Sequence, residues 1–312
     1  MPSVAVVIPM FRTGQTTLDV VQAVLRCRRP DDVTLKIIVV DDYSCDGSAE
    51  CIEQAQLSHV CVVRQPINMG RSAARNRGAF IATADYLLFI DSDCVPADDR
   101  FILRHIATIQ AGATVSMGEV SGNNDGFWHA YQASALARRK RASVSYGIAM
   151  QGSSQNFAVR RDAFLEASGF DEGYSNYGFE DRDLFLRIEA HGHCFAWTPD
   201  AVVRHCDTLD LLRVCSKMAE AGGPPAVRFF QRHPGPYDQL GYGKLDGRYR
   251  RWLRALEPLT TCIARWFAPW LSRHLESAWI PIRLRTVAVR LTVAASYLHG
   301  TVAPDDQNFF KT

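Results

Sequence analysis

The chain has 312 residues, 47% of them hydrophobic and 22% charged, with a formal net charge of +2. That length suits one large α/β domain with an appendage, or two domains, and the composition is that of an ordinary globular protein. The near-neutral charge argues against nucleic acid as a main partner. No stretch reaches about 18 uninterrupted apolar residues, so no segment is expected to span a membrane. The strand-like run at Val4–Ile8 leaves no room for a signal peptide at the N-terminus. The nine cysteines are odd in number and contain no Cys-x-x-Cys pair. They point to reduced thiols in a cytoplasmic setting rather than to structural zinc or a disulfide framework.

The first half alternates strand and helix signals. Val4–Ile8, Leu35–Val40, Val60–Arg64 and Tyr86–Ile90 read as buried strands, and Thr17–Arg26, Ser48–Ala55 and Gly70–Ala82 as the helices between them. Near-continuous apolar strands alternating with helices predict an α/β fold with a doubly wound, mostly parallel sheet covered on both faces. Ligands in such sheets bind beyond the carboxyl ends of the strands. Polar residues fall at each of those ends: Pro9-Met10-Phe11-Arg12, Asp41-Asp42, Gln65-Pro66-Ile67-Asn68 and Asp91-Ser92-Asp93. For Asp41-Asp42 a turn or helix cap leading into Asp46-Gly47 is an equal reading.

Asp91 and Asp93 leave a buried strand two residues apart, which in extended chain puts both on one face. Two like charges held together call for a hard divalent cation. Mg²⁺ and Mn²⁺ bind one or two carboxylates and complete their shell with water and phosphate oxygens. In Asn68–Gly78, a glycine and Ser72 open a helix of small residues, with Ser72 as its N-cap and Arg71 and Arg75 on one face. Guanidinium forks near a helix start suit a pyrophosphate. The segment 116–151 is expected to be irregular, with Arg138-Arg139-Lys140-Arg141 a solvated helix face. A strand ending in a basic turn follows at 152–161, then Gly169-Phe170-Asp171-Glu172 and an amphipathic helix opening with Glu180, Asp181 and Asp183. Acids there stabilise the helix dipole whatever else they do. His205 ends a further apolar run at Ala201–Val203.

Taken in order, these pieces resemble the family 2 glycosyltransferases, inverting enzymes of GT-A fold. The resemblance runs from Val4 to about Pro234 through Ile8-Pro9, Val39-Val40-Asp41-Asp42, Asn68-x-Gly-x-x-x-Ala-Arg-Asn-x-Gly, Asp91-Ser92-Asp93, Gly169-Phe170-Asp171-Glu172, Glu180-Asp181 and His205. Phe229-Phe230-Gln231-Arg232-His233-Pro234 is similar to the helical segment after the catalytic domain in many members. The resemblance implies a catalytic domain over 1–215, with a nucleotide-sugar half at 1–95 and an acceptor half at 96–215, followed by a helical region at 216–312. It implies that Asp42 bonds the nucleobase, with Pro9 and Phe11 lining the nucleoside pocket. Arg75 would approach the diphosphate, with Asp91 and Ser92 beside the donor. Asp93 and His205, with Asp91, would hold Mn²⁺ or Mg²⁺, and Glu180 would hold the acceptor. Asp181 would be the general base. The donor would be a nucleotide-sugar, UDP-linked by preference. No Gln-x-x-Arg-Trp signature of processive polymerases is present, which favours a single-addition enzyme.

From Lys244 the composition shifts to 11 Lys/Arg against 5 Asp/Glu, with four of the six tryptophans. Trp252, Leu256, Leu259, Ile263, Trp266 and Trp270 recur at helical spacing, with Pro258 and Pro269 expected to break the run; Trp279 to Val293 mixes apolar residues with arginine. Basic amphipathic helices of this kind suit an anionic membrane surface, in this case the cytoplasmic face of the inner membrane, and a lipid-linked or glycan acceptor. Packing on the catalytic domain or a second subunit is the competing reading. A catalytically silent nucleotide- or membrane-binding scaffold is an alternative. A sugar nucleotidyltransferase is disfavoured, because no glycine-rich basic loop follows the first strand. The absence of Gly-x-Gly-x-x-Gly there disfavours a dehydrogenase.

Overall fold

The continuous apolar runs exist because successive residues of each strand enter different cores. In a strand, side chains alternate between faces. Val4, Val6 and Ile8 join one buried cluster, with Val20, Val24, Ile102 and Ile106, while Ala5 and Val7 join another, with Ala74, Ala79, Phe164 and Phe185. The computed structural model describes residues 1–122, 126–174, 176–207, 209–277 and 279–303. It contains one eight-stranded sheet in the order β3-β2-β1-β4-β7-β6-β8-β5. The strands are β1 (Ser3–Met10), β2 (Thr34–Asp41), β3 (Val60–Arg64), β4 (Tyr86–Ile90), β5 (Cys94–Pro96), β6 (Val115–Gly122), β7 (Asn156–Arg160) and β8 (Phe195–His205). The helices among them are α1 (Gly14–Leu25), α2 (Ser48–Gln54), α3 (Gly70–Ile81), α4 (Phe101–Gln110), α5 (Phe127–Tyr146), α6 (Arg161–Glu166) and α7 (Glu180–Ala190). β1 pairs in parallel with β2 and β4, β2 with β3, and β6 with β8; β7 runs antiparallel to β4 and β6, and β5 to β8.

The chain divides into two compact units. The first comprises Met1–Asn123, Leu136–Glu172 and Asp181–Asp207 and holds the whole sheet; the second comprises Asn124–Ala135, Gly173–Glu180 and Thr208–Thr312. In the second lie α8 (Leu211–Gly222), α9 (Pro224–Arg232), α10 (Pro234–Gln239), α11 (Glu257–Cys262), α12 (Ala268–His274) and α13 (Ile282–Val302). Its core joins Phe127, Leu211, Cys215, Leu271, Leu275 and Val289. A ring cluster adds Phe179, Phe229, Tyr237, Tyr242 and Tyr297, where the Tyr237 hydroxyl donates to buried Asp246 at 2.7 Å and lies 2.6 Å from the Tyr297 hydroxyl. Among the described residues no helix is long and apolar enough to cross a membrane.

Three local expectations change, and one helix, α4, was not anticipated. The 116–151 segment contains the end of the sheet's β6 and a twenty-residue helix, α5. Apart from Phe127 its described residues are not buried, so no apolar stripe marks it. Helix α4 buries Phe101, Ile102, His105, Ile106 and Ile109, a periodic face that marks the helix in the sequence. Pro258 and Pro269 stand in the first turns of α11 and α12, where a missing N–H costs nothing, so they start helices rather than break them. Helix α3 begins at Gly70, ahead of Ser72, which is buried inside it with an Oγ that has no hydrogen-bond partner among the described residues.

Gly78 explains part of the small-residue pattern in α3. A Cβ there would lie 2.5 Å from Val7 Cγ1 and 3.2 Å from Val40 Cγ2, so the helix rests directly on β1 and β2. Gly78→Ala gains about 1 kcal/mol of helix propensity but forces about 1–3 kcal/mol of overpacking. The variant is expected to unfold at lower urea concentration than the parent; an unchanged or higher midpoint would show that the valines yield.

Candidate active site

The site begins with a charge problem. β4 carries Leu87, Leu88, Phe89 and Ile90 fully buried to its end, and the next residues are Asp91, Ser92 and Asp93. The chain turns tightly at this point, with the Cys94 N–H donating to the Asp91 carbonyl at 3.0 Å. The two carboxylates therefore sit in a turn rather than in extended chain, and each takes its own partner. Arg75 Nη2 donates to Asp91 Oδ1 at 2.6 Å, with the two side chains 3% and 23% exposed. His205 Nε2 lies 3.3 Å from Asp93 Oδ2. Burial first, and then the charge of Asp91, push the Asp93 carboxyl above its ordinary range, while His205 pulls it down.

His205 is far from Asp93 in sequence, and sheet register closes the gap. β5 and β8 pair antiparallel with Cys94 opposite His205, and the Cys206 N–H donates to the Asp93 carbonyl at 2.7 Å. Asp93, Cys94 and His205 each offer a ligand atom within 4.8 Å of the others. Cys94 is fully buried and burial holds its thiol well above the usual range, so it is a weak, protonated neighbour rather than a thiolate. An oxygen and an imidazole remain, a donor set that fits Mn²⁺ and is poorer for Mg²⁺. His205 Nδ1 is buried without a hydrogen-bond partner among the described residues. Asp91 stands outside this group.

Arg75 is 2% exposed, and its Nε and Nη1 have no hydrogen-bond partner among the described residues. Its guanidinium carbon lies 5.3 Å from the Phe170 ring centroid, which fixes the fork from one side. A buried cation with two unused donors is expensive unless an anion reaches it.

Asp42 holds the start of α3. It is buried and accepts from Gln65 Nε2 at 2.7 Å, the Met69 N–H at 2.7 Å and the Gly70 N–H at 2.8 Å, while its carbonyl accepts from Asn68 Nδ2 at 3.0 Å. It thus caps α3 from across the loop, the role expected of Ser72, and Gly70 at φ 86° is a position only glycine fills without strain. Its neighbour Asp41 braces the turn instead, accepting from the Ser44 hydroxyl and N–H. A carboxylate offers about four lone-pair directions, so Asp42 keeps one for a ligand. Pro9 pairs in register with Val40, and Phe11 is 42% exposed with the Arg12 guanidinium 4.9 Å above its ring. Tyr43, Ile67 and Met69, exposed at neighbouring strand ends, did not stand out in the sequence. Nor did Thr13, whose hydroxyl donates to Ser92 Oγ at 3.1 Å and ties the acidic turn to the loop after β1.

Asp181 is half-buried in the first turn of α7, with Oδ1 accepting the Arg182 N–H at 2.8 Å. The next acid on that helix, Asp183, is fully buried and paired with Arg187, 2.8 Å away. Glu180 is buried and accepts from the Gly178 N–H at 3.1 Å. Just before it Phe179 adopts φ 70° and stacks on Phe229 with centroids 4.8 Å apart. That left-handed backbone costs of order 1–3 kcal/mol, and the ring packing holds it.

Behind the acidic turn, His105 on α4 is fully buried, with Nδ1 2.8 Å from Ser116 Oγ and Nε2 2.9 Å from Asn156 Oδ1. Burial pushes its pKa down from 6.5 to about 4, against the upward pull of both hydrogen bonds. Between those values the unfolded chain binds a proton that the folded chain does not, so stability rises with pH across that window. Lowering the pH through it should cost about 3 kcal/mol from this residue. His105→Gln should flatten that part of the stability–pH curve measured by urea unfolding; an unchanged slope would assign it to other groups.

The sequence profile of glycosyl transferase family 2 matches residues 5–167, just over half of the chain. A profile described as the N-terminal domain of galactosyltransferase matches residues 144–205. The pre-mycofactocin glycosyltransferase of Mycobacterium tuberculosis is 29% identical over 207 residues, covering 64% of this chain and 43% of that protein. The poly(ribitol-phosphate) beta-glucosyltransferase of Bacillus spizizenii is 25% identical over 124 residues, 39% of this chain and 19% of that protein. The chain spans less than half the length of these relatives. Mannosyltransferase PcManGT from Pyrobaculum calidifontis, solved in complex with GDP-Man and Mn²⁺, aligns with a TM-score of 0.63 at 15% identity, over 98% of this chain and 88% of that one. S. aureus TarS aligns with a TM-score of 0.54 at 13% identity, over 96% and 90%. By its sequence profile, carried on a GT-A sheet, the chain belongs to glycosyl transferase family 2.

Proposed function

We propose that the protein is a metal-dependent inverting transferase that moves one sugar from a nucleotide-sugar to a hydroxyl of a lipid-linked or glycan acceptor. The observation that carries this reading is the acidic turn after β4, with Arg75 on Asp91 and His205 on Asp93. In it, Asp93 and His205 would hold Mn²⁺ or Mg²⁺, and Asp91 and Ser92 would face the donor. The metal, when bound, supplies a Lewis acid that neutralises charge on the departing diphosphate. The free donors of Arg75 bind diphosphate oxygens. Asp42 spends its remaining lone pair on the base, between Pro9 and Phe11.

The chemistry assigned to Asp181 is proton removal. The acceptor oxygen attacks the anomeric carbon, the bond from that carbon to the diphosphate oxygen breaks with its electron pair, and Asp181 takes the hydroxyl proton. Glu180, tied to the Gly178 N–H, orients the acceptor or the start of α7. A UDP-sugar is the preferred donor. The GDP-Man bound to PcManGT makes a GDP-sugar the first alternative. An acceptor carried on lipid places the reaction at the cytoplasmic face of a membrane.

Calorimetric titration of UDP, GDP, CDP and dTDP, with and without Mn²⁺, tests the donor site. One nucleotide is expected to bind in a Mn²⁺-dependent way, and Asp93→Ala should weaken that binding about tenfold or more. Equal binding with and without metal would remove Asp93 and His205 from the metal-binding role. Asp181→Asn should cut transfer by about 10²–10⁴-fold while leaving nucleotide affinity unchanged; turnover near the parent's would place the base elsewhere.

A further inference from the structure

We infer that the second unit docks peripherally on an anionic lipid bilayer through two exposed apolar helical stripes, the first bearing tryptophan and the second edged with arginine. Ten of the nineteen large exposed apolar side chains among the described residues fall between Trp252 and Leu291. A water-soluble surface seldom concentrates them so, and such a patch marks an interaction face. Trp252, Trp266 and Trp279 are 64%, 76% and 72% exposed, values at which the indole gains nothing from the protein's own core. Trp252 and Trp266 lie in short helical turns and Trp279 in the turn before α13, while Leu271, Leu275 and Val289 of the neighbouring helices are buried together.

The first stripe runs from Trp252 in a 3-10 turn through Leu259 on α11 and Trp266 in a π-helical turn to Trp270 on α12, all of them exposed. The 3-10 turn at Arg251–Leu256 and the π-helical turn at Ile263–Phe267 change the local winding without ending the run, and the prolines open α11 and α12. Between Cys262, Ile263, Trp266, Phe267 and Trp270 lies an open apolar hollow of about 500 Å³, a seat for acyl chain. The second stripe is Leu284, Val287 and Leu291 on α13, all at least half exposed, with Arg283 and Arg290 along one edge.

Charge selects the occupant. Between Arg250 and Leu291 there are eight arginines, no lysine or aspartate and two glutamates. All of those arginines except Arg285 are exposed. Guanidinium groups beside exposed tryptophans match the phosphates and the apolar boundary of a bilayer surface, where such helices lie in the plane. With no membrane-crossing helix among the described residues, the contact is superficial.

The test uses the full chain, without donor or metal, so it stands apart from every catalytic assignment. Cosedimentation is measured with vesicles of phosphatidylcholine alone and of phosphatidylcholine mixed with phosphatidylglycerol, at low and high salt. Binding is expected only to the mixed vesicles, weakened by salt and accompanied by a blue shift of tryptophan emission. Trp266→Ala with Trp270→Ala should weaken it about tenfold or more, and Arg283→Gln with Arg290→Gln should remove most of the preference for phosphatidylglycerol. Circular dichroism melting confirms that each variant is folded. Absence of vesicle binding by folded parent protein, or equal binding to both vesicle types, would overturn the inference. So would a concentration-dependent dimer dissolved by the tryptophan substitutions, which would assign the stripes to a second copy of the chain.

Discussion

Two carboxylates at the end of a fully buried strand are the constraint around which the sheet-bearing unit is arranged. Burial above the apolar floor of the strand, and then the charge of Asp91, raise the cost of ionising Asp93. The fold answers with a buried guanidinium on one and an imidazole on the other. Both answers carry residual capacity: Arg75 keeps two unused donors, and the Asp93–His205 pair has the donor chemistry of a divalent cation site. A site complete in itself would have no reason to bury a cation with unspent hydrogen bonds. The arrangement is therefore stable enough to fold and unsatisfied enough to bind.

The supports of that turn are structural in origin. Arg75 reaches Asp91 because α3 lies directly on β1 and β2, which Gly78 permits and a larger residue resists. The start of α3 is set by Asp42, whose carboxylate takes the first N–H groups of the helix and the Gln65 amide. The loops after β1, β2, β3 and β4 are thus linked through polar contacts at one end of the sheet, with Thr13 joining Ser92 and Ser44 joining the Arg12 N–H. Substitution of a residue such as Asp42 consequently acts on the geometry of the helix and of the loops around it.

The helical unit has a different economy. Its interior is aromatic, with Tyr237, Tyr297 and Asp246 sharing hydrogen bonds in a buried cluster, and Phe179 stacked within the same unit. Phe179, left-handed just before Glu180, is held by that ring packing. The unit's surface carries exposed tryptophan and arginine that its interior does not use.

Much of this was legible in the sequence. Alternating strands and helices announce the covered, mostly parallel sheet, because burial on both faces forces continuous apolar strands. Local chemistry also marked Asp91, Asp93 and Arg75. Helix α5 was not legible, since it has no apolar face to betray its period, and the cap on α3 was misplaced because a distant carboxylate outcompetes Ser72. The pairing of His205 with Asp93 depends on the register of β5 against β8, which no local pattern encodes. Sequence alone determined which residues had to be buried and which charges needed partners. Only the tertiary structure decided who those partners are, because long-range pairing is chosen by the packing of the whole sheet.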